Sequence, residues 1–315
     1  MITSSVYHIA EILKAGGIAA IPTETVYGLA ADATRCEAVE KIYTAKNRPV
    51  FNPLITHYES KEQLQKIWDN LPLPFQEIAD KFWPGPLTLI VPAPDNLCPY
   101  VTAGLPTAGI RIPNHPLTLE LIRICGFPLA APSANPSGSL SPVSANQVAD
   151  SLHIPILDGG SSKIGLESTI LDTTTPIPKI LRPGAITFEM LKKFIPEIQA
   201  YQSFTQALPN APGQLRKHYA PDIPMFWLNS LTLKLYGNDM HTAQLWFDAS
   251  GHPKESKTYF LSEHGNLAEA ARNLFSLLRK IKNDGFSRIL VEKLPETGLG
   301  PALNDRINRG TENPF

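Results

Sequence analysis

Over the first 195 residues, short apolar runs alternate with segments of helical period. Val6, Ile9, Ala10 and Leu13 recur at spacings of 3, 4 and 7, which predicts a helix that Ser4 or Ser5 caps and Gly16-Gly17 stops. Further helices are predicted over 37–46, from Ser60 with Gln63 in capping-box spacing, from Phe75 to the breaker Pro84-Gly85, and from Pro116 to Gly126. Between them lie strand-like runs at 18–21, 54–57, 87–91, 109–112, 128–131, 154–157, 168–171 and 179–181. The expected fold class is α/β (α+β), one large mixed sheet with flanking helices. From 196 to 223 the pattern gives way to Gln, Ser, Pro, Asn and Gly, read as an inter-domain linker. Strands at 225–228, 244–247, 259–261 and 289–291 and a helix carrying Leu267, Ala270, Ala271, Leu274, Leu278 and Ile281 follow. They predict a small doubly wound, Rossmann-like α/β domain over 224–315.

Composition narrows the function classes. A net charge of -1 with 43% hydrophobic residues excludes a chain disordered as a whole and a strongly basic nucleic-acid coat. No apolar run reaches the 18 or so residues of a membrane span, and the N-terminus lacks a signal-peptide pattern, so the cytoplasm is expected. Three cysteines without a CxxC pair, Cys36, Cys98 and Cys125, argue against disulfides or a cysteine zinc site and are expected to be packing residues. Thirty prolines, almost twice the usual ~5%, point to loop walls of fixed shape. The C-terminal part has neither GxGxxG nor GxxxxGK[ST].

Four polar clusters stand where strands give way to loops, the usual ligand-binding edge of open α/β sheets. The first is Pro22-Thr23-Glu24-Thr25-Val26-Tyr27-Gly28, equally a turn whose hydroxyls meet local backbone groups. In the second, Lys46-Asn47-Arg48-Pro49 with Asn52 and His57, a point charge and a planar fork suit a polyphosphate, while a solvated helix end accounts for them as well. Third, Arg111 in an apolar strand needs an anion, whether a protein carboxylate or a ligand's, with Thr107 upstream. Last, Ala131-Pro132-Ser133-Ala134-Asn135 lets a flat group approach the backbone, with Ser141 beyond it.

In order and spacing these pieces resemble a known family. PTETVYGL (22–29), KNRP (46–49) with NPL (52–54), WPGPLT (83–88), VTAGL (101–105), IRIP (110–113), APSAN (131–135), DGG (158–160), ESTI (167–170), LRPG (181–184) and HYAP (218–221) are similar to motifs of the L-threonylcarbamoyladenylate synthases with a YrdC-like catalytic domain, in the two-domain form. The resemblance implies a YrdC-like twisted mixed sheet over 1–195, a linker over 196–223 that folds over the site as a lid, and the small domain over 224–315. It implies ATP-dependent joining of L-threonine and bicarbonate or CO2 into threonylcarbamoyl-AMP, with pyrophosphate released. The product passes to a tRNA threonylcarbamoyl transferase complex, for modification of adenosine beside the anticodon. By resemblance, Lys46, Arg48, Ser133 and Asn135 form the catalytic phosphate surround, and Thr25, His57, Arg111, Ala131 and Ser168 the threonine pocket. Arg48, Asn52, Thr107, Ser133, Ser141, Arg182 and Tyr219 are implied nucleotide contacts, with His218 beside Tyr219 in the lid; Mg2+ comes with ATP, without direct protein ligands. The alternative is an RNA-binding, ribosome-associated module of the same fold without synthesis. A carbamoyl transferase like the hydrogenase-maturation relatives fits less well, because the chain lacks cysteine pairs.

Overall fold

A computed structural model of the protein describes residues 1–201, 219–252 and 255–312. The described residues fall into two compact units. The first holds Met1–Ser137, Ser141–Lys163 and the chain from Glu167 to Tyr201; the second holds Gly138–Leu140, Ile164–Leu166 and the chain from Tyr219 onward.

The first unit is built on β1 (Ile2–Thr3), β2 (Ala19–Ile21), β3 (Gly28–Asp32), β4 (Ile55–His57), β5 (Leu87–Pro92), β6 (Thr107–Arg111), β7 (Leu129–Ala130), β8 (Ile156–Leu157), β9 (Thr169–Asp172) and β10 (Lys179–Arg182). They form a ten-stranded mixed sheet in the order β1-β8-β2-β3-β7-β4-β6-β5-β9-β10. Its helices are α1 (Val6–Lys14), α2 (Cys36–Lys46), α3 (Gln65–Trp68), α4 (Leu73–Phe82), α5 (Pro99–Thr102), α6 (Pro116–Cys125), α7 (Ala145–Ala149) and α8 (Phe188–Lys192). Helix α1 starts where its cap predicts: the Ser5 hydroxyl accepts from the His8 N–H, and Val6, Ile9, Ala10 and Leu13 are its buried face. Successive side chains of β2 serve opposite faces. Ala19 and Ile21 join the core of α1 and α6 with Leu13, Leu121 and Leu129, while Ala20 joins that of α2 with Val39, Ile42 and Leu29.

Burial on both faces explains why β3 was missed in sequence. Every residue of β3, Gly-Leu-Ala-Ala-Asp, is buried, so no polar alternation marks it, and alanine is a weak strand former. The helix expected from Ser60 is also corrected. Gln63 turns its Oε1 back to accept from the Glu59 N–H, and the chain makes only a 3-10 turn, Glu62–Leu64, and the four residues of α3.

A second correction concerns the cysteines. Cys36 and Cys98 form a disulfide, with Cα atoms 5.2 Å apart, and only Cys125 stays free and buried. The first residue of α2 meets the residue before α5 through tertiary packing across 62 positions. That separation leaves no local sequence signal.

The second unit carries β11 (Met225–Trp227), α9 (Ser230–Tyr236), β12 (Thr242–Trp246), β13 (Thr258–Phe260), α10 (Leu267–Asn283), β14 (Arg288–Val291) and α11 (Gly300–Gly310). Its four strands are all parallel, in the order β11-β14-β12-β13. Ala270, Ala271, Leu274, Phe275, Leu278 and Ile281 form the buried face of α10. Among the described residues no helix is long and apolar enough to cross a membrane.

Candidate active site

The candidate residues gather along the centre of the large sheet because strand pairing carries distant motifs to one another. Strands β4 and β6 run parallel with His57 opposite Arg111, and β7 lies on the other side of β4 with Leu129 opposite His57. The start of β5 lies beside the end of β6, and Leu87 of β5 pairs with Thr169 of β9, so Ser168 comes to the same end of the sheet as Arg111. The segment 131–135 continues from β7 past β3, where Gly28 bridges Ser133 and the Ala134 N–H donates to the Tyr27 carbonyl.

Arg111 is buried and aimed by three acceptors. Its Nε donates to the Gly85 carbonyl at 3.1 Å, Nη1 to Thr25 Oγ1 at 3.1 Å and Nη2 to Glu24 Oε1 at 2.5 Å. Glu24 is thus the protein anion that an apolar strand arginine requires. His57, in the neighbouring strand, is buried with its Nδ1 unpartnered. Burial first, and the Arg111 charge second, push its pKa down to about 3, so the imidazole is neutral at physiological pH.

Lys46 ends α2 and is almost fully buried. Its ammonium donates to the carbonyls of Ser133 and Asn135, tying α2 to the segment after β7. Burial, then the charge of Arg48, hold its pKa well below the usual lysine range. Asn47 turns the chain in a left-handed conformation (φ 49°), which its short polar side chain tolerates. Arg48 then donates Nε to the Asn52 carbonyl at 3.2 Å and Nη2 to the Pro53 carbonyl at 2.9 Å. Asn52 is 0% exposed, yet neither atom of its side-chain amide has a partner. A buried polar group left unmatched costs about 1–3 kcal/mol, and such groups concentrate where a ligand supplies the missing partner.

Ser168 and Arg182, sequence candidates for different substrates, touch directly. Arg182 donates Nη2 to Ser168 Oγ at 3.1 Å and Nε to its carbonyl at 3.1 Å, and Thr88 Oγ1 lies 2.7 Å from the same hydroxyl. Ser141 donates to Glu167, immediately before Ser168. The Ala131 N–H is used by the Ile55 carbonyl at 2.9 Å. Thr107 stands four residues before Arg111 on β6, about 13 Å along the strand and so at its other end. Tyr219 belongs to the second unit. Its ring there stacks on Phe275, with centroids 5.8 Å apart, and the Arg306 guanidinium lies 5.4 Å over it. His218 and the greater part of the linker lie outside the described residues.

Sequence reading left Glu24 and Thr88 off the site. Glu24 was visible as a carboxylate in a strand-end loop but had no assigned partner. Thr88 was hidden inside an apolar strand. Among the described residues, no three His, Cys, Asp or Glu side chains come together as a metal-holding group.

Residues 11–184 match the family model described as telomere recombination, and residues 186–311 that of the threonylcarbamoyl-AMP synthase C-terminal domain. A threonylcarbamoyl-AMP synthase of Bacillus subtilis is 39% identical over 312 residues, spanning 95% of this chain and 90% of its own. One of Pyrococcus abyssi is 36% identical over 319 residues, spanning 96% and 92%. The crystal structure of Pyrococcus abyssi Sua5 complexed with L-threonine is similar to this fold with a TM-score of 0.88 at 36% identity, covering 97% of this chain and 94% of that one. Matched by both family models, and by full-length relatives, the chain belongs to the threonylcarbamoyl-AMP synthase family.

Proposed function

We propose that the protein makes L-threonylcarbamoyl-AMP from L-threonine, bicarbonate or CO2, and MgATP, releasing pyrophosphate. The observation that supports this reading is Arg111, buried, bonded to Thr25 and in register with His57, with Ser168 held by Arg182 at the same end of the sheet and Lys46 bonded to the segment after β7. In this reading Arg111 is the cation for the substrate carboxylate, and Lys46 and Arg48 are the cations for the phosphates. The relatives' names and the L-threonine complex of the Pyrococcus abyssi protein support it.

The chemistry suits such a site. Once L-threonine carries a carbamate, a carbamate oxygen attacks the α-phosphorus of ATP, the bond to the β-phosphate oxygen breaks, and pyrophosphate departs. Negative charge is spread over phosphoryl oxygens throughout, so alignment and fixed positive charge lower the barrier, and no covalent protein intermediate is required. Arg48, Asn52, Thr107, Ser133, Ser141 and Arg182 are the proposed nucleotide contacts. Arg48 is already braced by two carbonyls, so little reorganisation accompanies binding. Neutral His57 adds no charge to compete with Arg111 for the threonine carboxylate. A carbamate and a mixed anhydride hydrolyse readily and need shelter from water; the linker with His218 and Tyr219 is the proposed cover.

In this reading the product goes, in the cytoplasm, to a tRNA threonylcarbamoyl transferase that modifies adenosine beside the anticodon. The test is pyrophosphate release by the purified chain with MgATP, omitting L-threonine and bicarbonate in turn. Release that needs both substrates is expected. Release indifferent to L-threonine would overturn the reading.

A further inference from the structure

Glu24 holds a carboxylate oxygen in reserve. The residue is 5% exposed, and its Oε1 accepts from Arg111. Its Oε2 is shut off from water and has no hydrogen-bond partner. An ionised carboxylate only accepts hydrogen bonds, and buried ones are normally satisfied on both oxygens. Arg111 does not need that second oxygen, because Thr25 and the Gly85 carbonyl also fix its guanidinium. The Glu24 carboxylate is felt in turn by His115, in the N-cap position before α6. No lysine or second arginine is hydrogen-bonded to the carboxylate among the described residues.

Side by side, a guanidinium and a carboxylate with an unpartnered oxygen form a receptor for a zwitterion, whose carboxylate and ammonium are attached to one carbon. We infer that Glu24 Oε2 receives the α-ammonium of the amino-acid substrate while Arg111 receives its carboxylate. This rests on the synthase reading and adds to it a specificity-determining residue. A 2-hydroxy acid of the same shape still offers an O–H to that oxygen but brings no positive charge to meet the buried carboxylate, so it binds more weakly.

Calorimetric titration of the full chain with L-threonine and with (2S,3R)-2,3-dihydroxybutanoate tests this. The wild type should prefer L-threonine by about 100-fold. Glu24→Gln keeps an acceptor for Arg111 but loses the charge, and the preference should fall below about 5-fold through weaker L-threonine binding alone. Glu24→Asp should retain a preference above about 10-fold, and Arg111→Gln should weaken both acids together. Equal weakening of both acids in Glu24→Gln, as a mere support of Arg111 would give, overturns the inference. So does a wild-type preference below about 5-fold, a measurement that needs no variant to fold. If the wild type binds no L-threonine, the substrate reading falls and the inference with it.

Discussion

His57 and Arg111 are register partners on adjacent parallel strands, and the guanidinium of one helps to keep the imidazole of the other uncharged. In the unfolded chain His57 takes up a proton below pH 6.5; in the folded chain it does so only near pH 3. The unfolded state therefore binds more protons between those values, so this group's stabilisation is complete above pH 6.5 and falls as the pH drops toward 3. The slope reaches about 1.4 kcal/mol per pH unit. Urea unfolding of wild type and His57→Gln at pH 7, 6, 5 and 4 isolates it as the difference between the two curves. A difference that does not change with pH would contradict the assignment.

Arg111→Lys keeps the charge and loses the fork. A lysine ammonium cannot reach Gly85, Thr25 and Glu24 in one plane while offering two parallel donors to a ligand. L-threonine affinity should fall by about 100-fold, near 2.7 kcal/mol, with ATP affinity changed less than about 3-fold. Equilibrium titrations with each ligand check it; a matching loss for ATP would place Arg111 elsewhere in the reaction.

Gly184 ends the segment after β10 against bare backbone. A Cβ there would lie 2.5 Å from the Thr169 nitrogen and 2.7 Å from the Glu167 carbonyl oxygen. Neither atom is the end of a flexible side chain, so Gly184→Ala must shift the backbone on either side of Ser168 and should cost about 1–3 kcal/mol. Chemical denaturation measures the loss. An unchanged midpoint would mean that the segment has room the structure does not show.

The Cys36–Cys98 bond closes a long loop in the unfolded chain. A loop of 62 residues corresponds to roughly 4 kcal/mol of chain-entropy stabilisation. Reduction, or the double change Cys36→Ser with Cys98→Ser, is expected to lower unfolding free energy by about 2–4 kcal/mol, while Cys125→Ser leaves that redox dependence intact. Thiol titration of the denatured chain, with and without reductant, establishes the bond first: three free thiols without reductant would remove it.

What the sequence made legible was local. Helix α1 and helix α6 were readable because their caps and apolar spacing are written in consecutive residues, and the parallel strands of the second unit because β-branched and aromatic runs recur between helices. Strand β3 was not, being buried on both faces and built from small residues. The Cys36–Cys98 pair and the Arg182–Ser168 contact depend on which strands become neighbours, which no local spacing encodes. The candidate site stood between these cases. Its residue types were conspicuous as motifs, but the partner of Arg111 was knowable only once β6 had been placed beside the loop of Glu24.

The Lys46 ammonium rests on the carbonyls of Ser133 and Asn135, so two motifs almost ninety positions apart share one hydrogen-bonded joint. Such a joint fits only as a pair. Grafting residues 46–54 from a distant relative into this chain would bring a helix end shaped for another loop, and grafting 131–137 alone would bring the converse mismatch. Exchanged together, the two segments carry their own fit, and the double chimera should outperform either single one. The end of α2 and the segment after β7 are in this sense one interchangeable cassette, although the chain writes it in two pieces.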